Sequence, residues 1–97
     1  MLITPVRCDT DMSYTLDCIR HSVKLEESPI VPGIAYHVFG RNPGPIRLMM
    51  SFMYSWVKDC EKVVCYVDLG ITNGMLASIN TMGNLYPDIQ IEERRIL

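Results

Sequence analysis

The stretch Lys62-Val63-Val64-Cys65-Tyr66-Val67, followed directly by Asp68-Leu69-Gly70, carries the clearest structural signal in this chain. Its nearly continuous apolar and β-branched run is typical of a strand covered on both faces, as in a parallel sheet. The glycine that follows the aspartate indicates a loop after the strand. We therefore predict a largely parallel sheet that contains this stretch.

Apolar runs and helical periodicities alternate along the rest of the chain. Short apolar runs predict four strands, at residues 2–6, 30–36, 62–67 and 89–92. Apolar residues at helical spacing predict three helices, which begin near Asp9, Pro45 and Asn73. This order indicates a three-layer α/β sandwich of Rossmann or flavodoxin type, with about four mainly parallel strands. We assign residues 1–97 to a single domain, because so short a chain cannot build two cores.

The first and second helices each have a predicted apolar stripe. In the first helix it consists of Met12, Leu16, Ile19 and Val23. The second helix has a wider stripe of methionines and aromatics between Met49 and Cys60, which we interpret as core.

Charge and hydropathy exclude several classes of function. The 97 residues include 9 Lys and Arg against 11 Asp and Glu, which gives a formal net charge of −2. Nucleic-acid binding needs a basic surface, and attraction to an anionic membrane needs a polybasic patch, so we expect neither partner. The N-terminus shows no signal peptide, and no apolar run approaches the ~20 residues of a membrane span. We expect a soluble cytoplasmic protein.

The cysteines indicate buried thiols in a reducing compartment. None of the four forms a Cys-x-x-Cys pair, and the chain has two histidines. Zinc sites usually place two ligands two to four residues apart, so we predict no metal site and no cofactor. The four residues are Cys8, Cys18, Cys60 and Cys65.

Candidate ligand-binding residues follow the predicted parallel strands, where open sheets bind ligands beyond the carboxyl ends. Asp68 directly follows a buried strand, and Gly70 and Gly74 allow a ligand to approach the backbone. Asp68 would equally suit a turn or a helix start. Arg7 could clamp a phosphate or be an ordinary surface arginine, and His37 ends the predicted second strand.

The block from Asp68 to Met75, Asp-Leu-Gly-Ile-Thr-Asn-Gly-Met, resembles small nucleoside 2-deoxyribosyltransferase-like proteins of phages and bacteria. Further upstream, Thr4-Pro5-Val6-Arg7 is similar to the family's Ser-Pro-Tyr-Arg, and Glu27–Ile30 to the segment before its second strand. Arg47 matches an arginine that opens the following helix. The resemblance covers most of the chain, and the Asp68–Met75 block is its specific part.

This resemblance implies a site for an N-glycosidic bond. In active members a glutamate in the helix after the glycine-rich loop attacks the anomeric carbon, and an aspartate at the preceding strand end holds the sugar or protonates the base. Asp68 matches the aspartate, but Ser78 stands at the glutamate position and no other acid lies in that helix. Gly33 stands where relatives carry a histidine, and His37 would compensate if its loop folds back.

Three functions remain open from the sequence. The first is a nucleoside- or nucleotide-binding protein that has lost its nucleophile. The second is an active N-glycosidase or deoxyribosyltransferase with Asp68 as a general base. The third is a non-catalytic protein-interaction module. We assign possible catalytic roles to Asp68 and Ser78. The expected ligand-binding residues are Pro5, Arg7, His37, Gly70, Thr72, Asn73, Gly74 and Met75.

The chain is also expected to form a homo-oligomer. The deoxyribosyltransferase-like resemblance implies subunits that complete each other's sites. Seven methionines and Trp56 give more apolar side chain than one small α/β core needs. If Met49, Met50 and Met53 surround their helix, some of them must contact another chain.

Overall fold

The structure of the protein is a computed structural model that describes residues 1–39 and 43–97. Three long helices and one short helix pack around three strands in this part of the chain, and a single 3₁₀ turn at Val57–Asp59 precedes the central strand. The helices are α1 (Asp9–Lys24), α2 (Ile34–Phe39), α3 (Pro43–Trp56) and α4 (Asn73–Leu85). The strands are β1 (Leu2–Ile3), β2 (Lys62–Tyr66) and β3 (Gln90–Arg94).

The three strands form one sheet in the order β1-β2-β3, and both pairings are parallel. Leu2 lies beside Val64 in the first pair, and Tyr66 lies beside Arg94 in the second. The long central strand is therefore β2, which is the stretch with the strongest strand signal. The predictions of an α/β domain, a parallel sheet and three long helices are confirmed.

Helices cover β2 on both faces. Val63 and Cys65 pack with the buried methionines of α3 and α4 in one apolar cluster. Val64 and Tyr66 point the other way and pack with Tyr14 of α1 in a second cluster. Because successive side chains of a strand alternate between faces, the continuous apolar run of β2 supplies both clusters.

The predicted second strand at residues 30–36 is wrong, and the sheet has three strands instead of four among the described residues. The chain does pass the free edge of β1, where the Leu2 N–H donates to the Ile30 carbonyl at 2.8 Å. The pairing stops there because the next donor to β1 would be the N–H of residue 32, and Pro32 has none. The Ile34 N–H then donates to the Val31 carbonyl at 3.1 Å, and the chain turns into α2.

The predicted apolar face of α1 is also wrong. Leu16 is 38% exposed and Val23 is 56% exposed, whereas the buried face carries mostly polar residues. Those polar groups have partners: the hydroxyls of Thr4 and Thr15 lie 2.8 Å apart, and the Ser22 hydroxyl donates to Glu27 at 2.8 Å. Hydrogen bonding removes most of the cost of burying such groups, so the helix can turn this face inward.

The second half of the fold follows the predictions closely. Thr72 caps α4, and its side-chain oxygen accepts a hydrogen bond from the Met75 N–H at 3.1 Å. Such a cap satisfies one of the free donors of the first turn and fixes where the helix begins. β3 then aligns with β2 through residues 90–94. Among the described helices, none combines the length and apolar character needed to cross a membrane.

The methionines of the predicted core lie mostly inside the domain. Met53 is buried, and Met50 packs against the same cluster. The side chain of Met49 lies outside the described residues. Trp56 is partly exposed and stacks on Phe52 with ring centroids 4.6 Å apart.

Candidate functional site

A crevice lies beyond the carboxyl end of β1, between the segment that precedes α2 and the first turns of α4. Its cavity volume is about 50 Å³, well below the roughly 300–1,000 Å³ of typical small-molecule pockets, and it is partly open to solvent. None of the described lining residues has a charged side chain. The lining residues are Met1, Leu2, Ile3, Thr4, Val6, Pro32, Gly33, Met53, Thr72, Gly74, Met75 and Ser78.

The start of α4 forms one wall of this crevice. The first N–H groups of a helix have no acceptor within the helix, and here Thr72 satisfies one of them. A side chain at Gly74 would first meet the Thr72 hydroxyl, 3.9 Å from the position of its Cβ. A methyl group would therefore fit at Gly74 without a close contact.

Ser78 lies one turn deeper in α4 and is 9% exposed. Its hydroxyl donates to the Met53 sulfur at 3.9 Å. A thioether is a weak acceptor, so the bond leaves the serine oxygen able to accept a hydrogen bond from a ligand. It does not activate the serine, because nucleophilic serines need a base within hydrogen-bonding distance.

Asp68 lies outside the described lining of the crevice. Its carboxylate accepts hydrogen bonds from the Tyr14 hydroxyl at 2.5 Å, from the Ile96 N–H at 3.0 Å and from the Leu97 N–H at 2.9 Å. Its own N–H donates back to the Tyr14 oxygen at 3.1 Å. The carboxylate thus joins α1, the end of β2 and the residues that follow β3.

This environment changes the acidity of both partners. Burial opposes ionisation of Asp68, but the hydrogen bonds from Tyr14, Ile96 and Leu97 outweigh it and hold its pKa below the usual value. Burial, together with the hydrogen bond to Asp68, raises the pKa of Tyr14. Asp68 is therefore an ionised acceptor at neutral pH.

The side chain of Arg7 is likewise held by another residue of the same chain. Its guanidinium donates to the Asp11 carboxylate at 3.0 Å, and its backbone N–H donates to the same oxygen at 2.5 Å. Asp11 lies in the first turn of α1 and is buried, so the pair closes the loop between β1 and that helix.

The structure brings together four of the residues predicted for the site, Thr72, Gly74, Met75 and Ser78. The other six are not among the described lining residues of the crevice. His37 lies in α2 instead of at a strand end, and Gly70 occupies the turn after Asp68 with φ of +85°. The six residues are Pro5, Arg7, His37, Asp68, Gly70 and Asn73.

The sequence interpretation missed a polar network on the α1 face of the sheet. Arg94 is 11% exposed, and its guanidinium contacts both oxygens of Glu27, at 2.8 and 3.1 Å, and the Tyr66 hydroxyl at 3.0 Å. Lys62 adds a contact to Glu27 at 2.8 Å. Hydrogen bonding from Arg94 lowers the pKa of Glu27 far below its usual range. The sequence did contain a signal for this network: Glu92 and Arg94 are two residues apart in β3 and therefore lie on the same face of the sheet.

Two further observations concern the chemistry open to the protein. Among residues 1–39 and 43–97, no group of three or more His, Cys, Asp or Glu side chains could hold a metal ion. All four cysteines are free thiols, and burial raises the pKa of Cys18 to about 12 and that of Cys65 to about 11. Such thiols are weak nucleophiles at neutral pH.

Comparisons with protein-family models, with curated proteins and with solved structures find no match.

Proposed function

We propose that the protein binds a nucleoside or nucleotide reversibly in the crevice between β1, the segment that precedes α2, and α4. The observation that carries this proposal is the composition of the crevice, in which apolar walls meet a few polar groups at the carboxyl end of a parallel sheet. Small-molecule sites generally combine apolar walls with a few polar groups that fix the ligand's orientation. The likeness of Asp68–Met75 to the deoxyribosyltransferase-like block supports the same ligand class.

A cavity of this size admits only part of a nucleoside, and the rest would lie in the open mouth of the crevice. The first turn of α4 offers backbone N–H donors for sugar or phosphate oxygens, as helix N-termini commonly do. The Ser78 hydroxyl can accept a hydrogen bond from a sugar hydroxyl. Met53 and Met75 present polarizable thioether side chains, which suit contact with a base.

The proposed activity is binding without cleavage of the glycosidic bond. A glycosidic displacement needs carboxyl groups at the anomeric centre. The described lining of the crevice has no charged side chain, and Asp68 is held by Tyr14 and the backbone after β3. The alternative, an active N-glycosidase or transferase, would require Asp68 to exchange these bonds for contacts with the ligand.

The experiment is a thermal-shift screen with nucleosides, 2′-deoxynucleosides, their 5′-monophosphates and ribose 5-phosphate. A ligand at about 100 times its dissociation constant adds about 2.7 kcal/mol to stability, which is a readily measured shift. The same mixtures are analysed chromatographically for free base. A melting temperature that no compound raises would refute the proposal, and release of base would favour the enzyme.

Ser78→Ala locates the site of binding. This change removes the crevice hydroxyl but costs little stability, because its partner is a thioether and alanine is a better helix former. We expect the ligand-induced shift to decrease in Ser78→Ala and to persist in Ser51→Ala, a matched control on the exposed side of α3. Equal shifts in the two variants would exclude this crevice as the binding site.

A further inference from the structure

The outer edge of β3 is a free sheet edge. β3 is the last strand in the order β1-β2-β3, and no described residue pairs with its outer side. The Arg94 carbonyl accepts a hydrogen bond from the Val67 N–H at 3.0 Å and so faces inward, towards β2. Because backbone groups alternate along a strand, those of Ile91, Glu93 and Arg95 face outward. An exposed edge of this kind is a template for pairing with another strand.

The side chains of the same residues form a solvent-exposed row beside α4. Ile91 lies next to Val63 and Glu93 next to Cys65, so they share the face of β2 that α4 covers. Ile91 is 39% exposed, and Glu93 and Arg95 are exposed as well. The row reads apolar, acidic, basic: Ile91, Glu93, Arg95.

The charged part of this row is complementary to its own reverse. If the strand is paired antiparallel with a copy of itself about Arg94, Glu93 lies opposite the partner subunit's Arg95. Edges that are protected from association usually carry side chains that repel or obstruct a second strand. Here the signs alternate, so an identical strand is attracted at both charged positions.

We propose that two copies of this chain associate along β3 about a twofold axis, with Glu93 opposite the partner subunit's Arg95. This pairing would join two three-stranded sheets into one of six strands. It also brings Arg94 close to the partner subunit's Arg94. The repulsion is small because Glu27 and Glu92 both contact Arg94, at 2.8 and 2.6 Å. The inference is independent of the proposed ligand.

Charge reversal tests the proposed register. In Glu93→Arg the arginine faces the partner's Arg95, and in Arg95→Glu the glutamate faces the partner's Glu93, so each variant creates two repulsive pairs per dimer. We expect each variant to weaken dimerisation roughly tenfold or more, since each pair changes from attraction to repulsion. The variant that carries both reversals, and an equimolar mixture of the two single variants, should recover the dimer.

The measurement is sedimentation velocity of the full chain over a range of micromolar concentrations. Lys24→Glu is the matched control, because it reverses an exposed charge on α1 away from β3. Circular dichroism of each variant establishes that it is folded. A wild type that remains monomeric throughout the range would overturn the proposal. A dimer that both single reversals leave intact, or that neither the double reversal nor the mixture restores, would overturn it too.

Discussion

Asp68→Asn distinguishes a carboxylate that holds the fold together from one that holds a ligand. The amide oxygen can still accept from the Ile96 and Leu97 N–H groups, but its NH₂ group then faces the Tyr14 hydroxyl, which loses its acceptor. Hydrogen bonds to charged groups contribute about 1.5–3 kcal/mol and neutral ones about 0.5–1.5 kcal/mol. Loss of the charge therefore weakens several bonds together. We expect the free energy of unfolding to fall by about 2 kcal/mol.

The assay is urea denaturation of the wild type, Asp68→Asn, Tyr14→Phe and the double variant. For a domain of this size, about 2 kcal/mol corresponds to a melting temperature lower by about 8–16 °C. Because the two side chains are in contact, their effects should be non-additive by about 1 kcal/mol. Asp59→Asn, at an exposed acid before β2, should change stability little.

The opposite result would show that the reasoning about Asp68 is wrong. If Asp68 serves a ligand, its replacement should leave the unfolding free energy unchanged or raised, as is common for residues kept for activity at the expense of stability. The ligand-induced thermal shift would then disappear in Asp68→Asn. Additive effects of the Asp68 and Tyr14 substitutions would likewise refute the proposed coupling.

The other predictions concern acid stability, one glycine and the thiols. The pKa of Glu27 is lowered by folding, so its stabilisation is present above the unfolded pKa of about 4.3 and is lost as the pH falls below it. The melting temperature should therefore fall less steeply on acidification in Glu27→Gln than in the wild type, and parallel curves would contradict this. Gly74→Ala should raise the unfolding free energy by about 0.4–1 kcal/mol, because its Cβ meets no atom closer than 3.9 Å and alanine restricts the unfolded chain; a lower urea midpoint would show that this is wrong. A thiol reagent at pH 8 should modify exposed Cys8 quickly, and buried Cys18 and Cys65 only after unfolding; mass spectrometry of the peptides would reveal early labelling of either buried thiol.

Local signals were sufficient to predict the second half of the fold. The β-branched run predicted β2. Thr72, which precedes an apolar helical pattern, predicted the first residue of α4 to within one position. Both features depend on interactions within a few residues of chain. The predicted strand at residues 30–36 failed because a strand needs a donor at alternate positions, and Pro32 removes the donor that would follow Ile30 beside β1.

The buried face of α1 could not be predicted from apolar spacing. The burial of Thr15 and Ser22 depends on partners at Thr4 and Glu27, which only the folded chain places within reach. The same limit applies to Asp68, whose position at a strand end was predicted correctly. Its partners Tyr14 and Ile96 lie 54 and 28 residues away in sequence, so no local pattern could show that they occupy its carboxylate.

The candidate site was predicted only where one local element supplies it. Thr72, Gly74, Met75 and Ser78 reach the crevice together because they belong to the first turns of α4 and its cap. Arg7 was predicted from its place after β1, but its direction is set by the buried Asp11 one turn further on. Proximity to a strand end thus predicts the neighbourhood of a side chain, whereas its contacts depend on the charges nearby.

The all-parallel order β1-β2-β3 has a consequence for how the chain folds during synthesis. Leu2 pairs with Val64, 62 residues further along, whereas Lys62 pairs with Gln90, 28 residues further along. Closing the shorter loop costs less conformational entropy, which favours the pairing of β2 with β3 by about 0.7 kcal/mol. β1 can pair only after β2 has been synthesised, so the apolar residues of β1 remain without their strand partner until then.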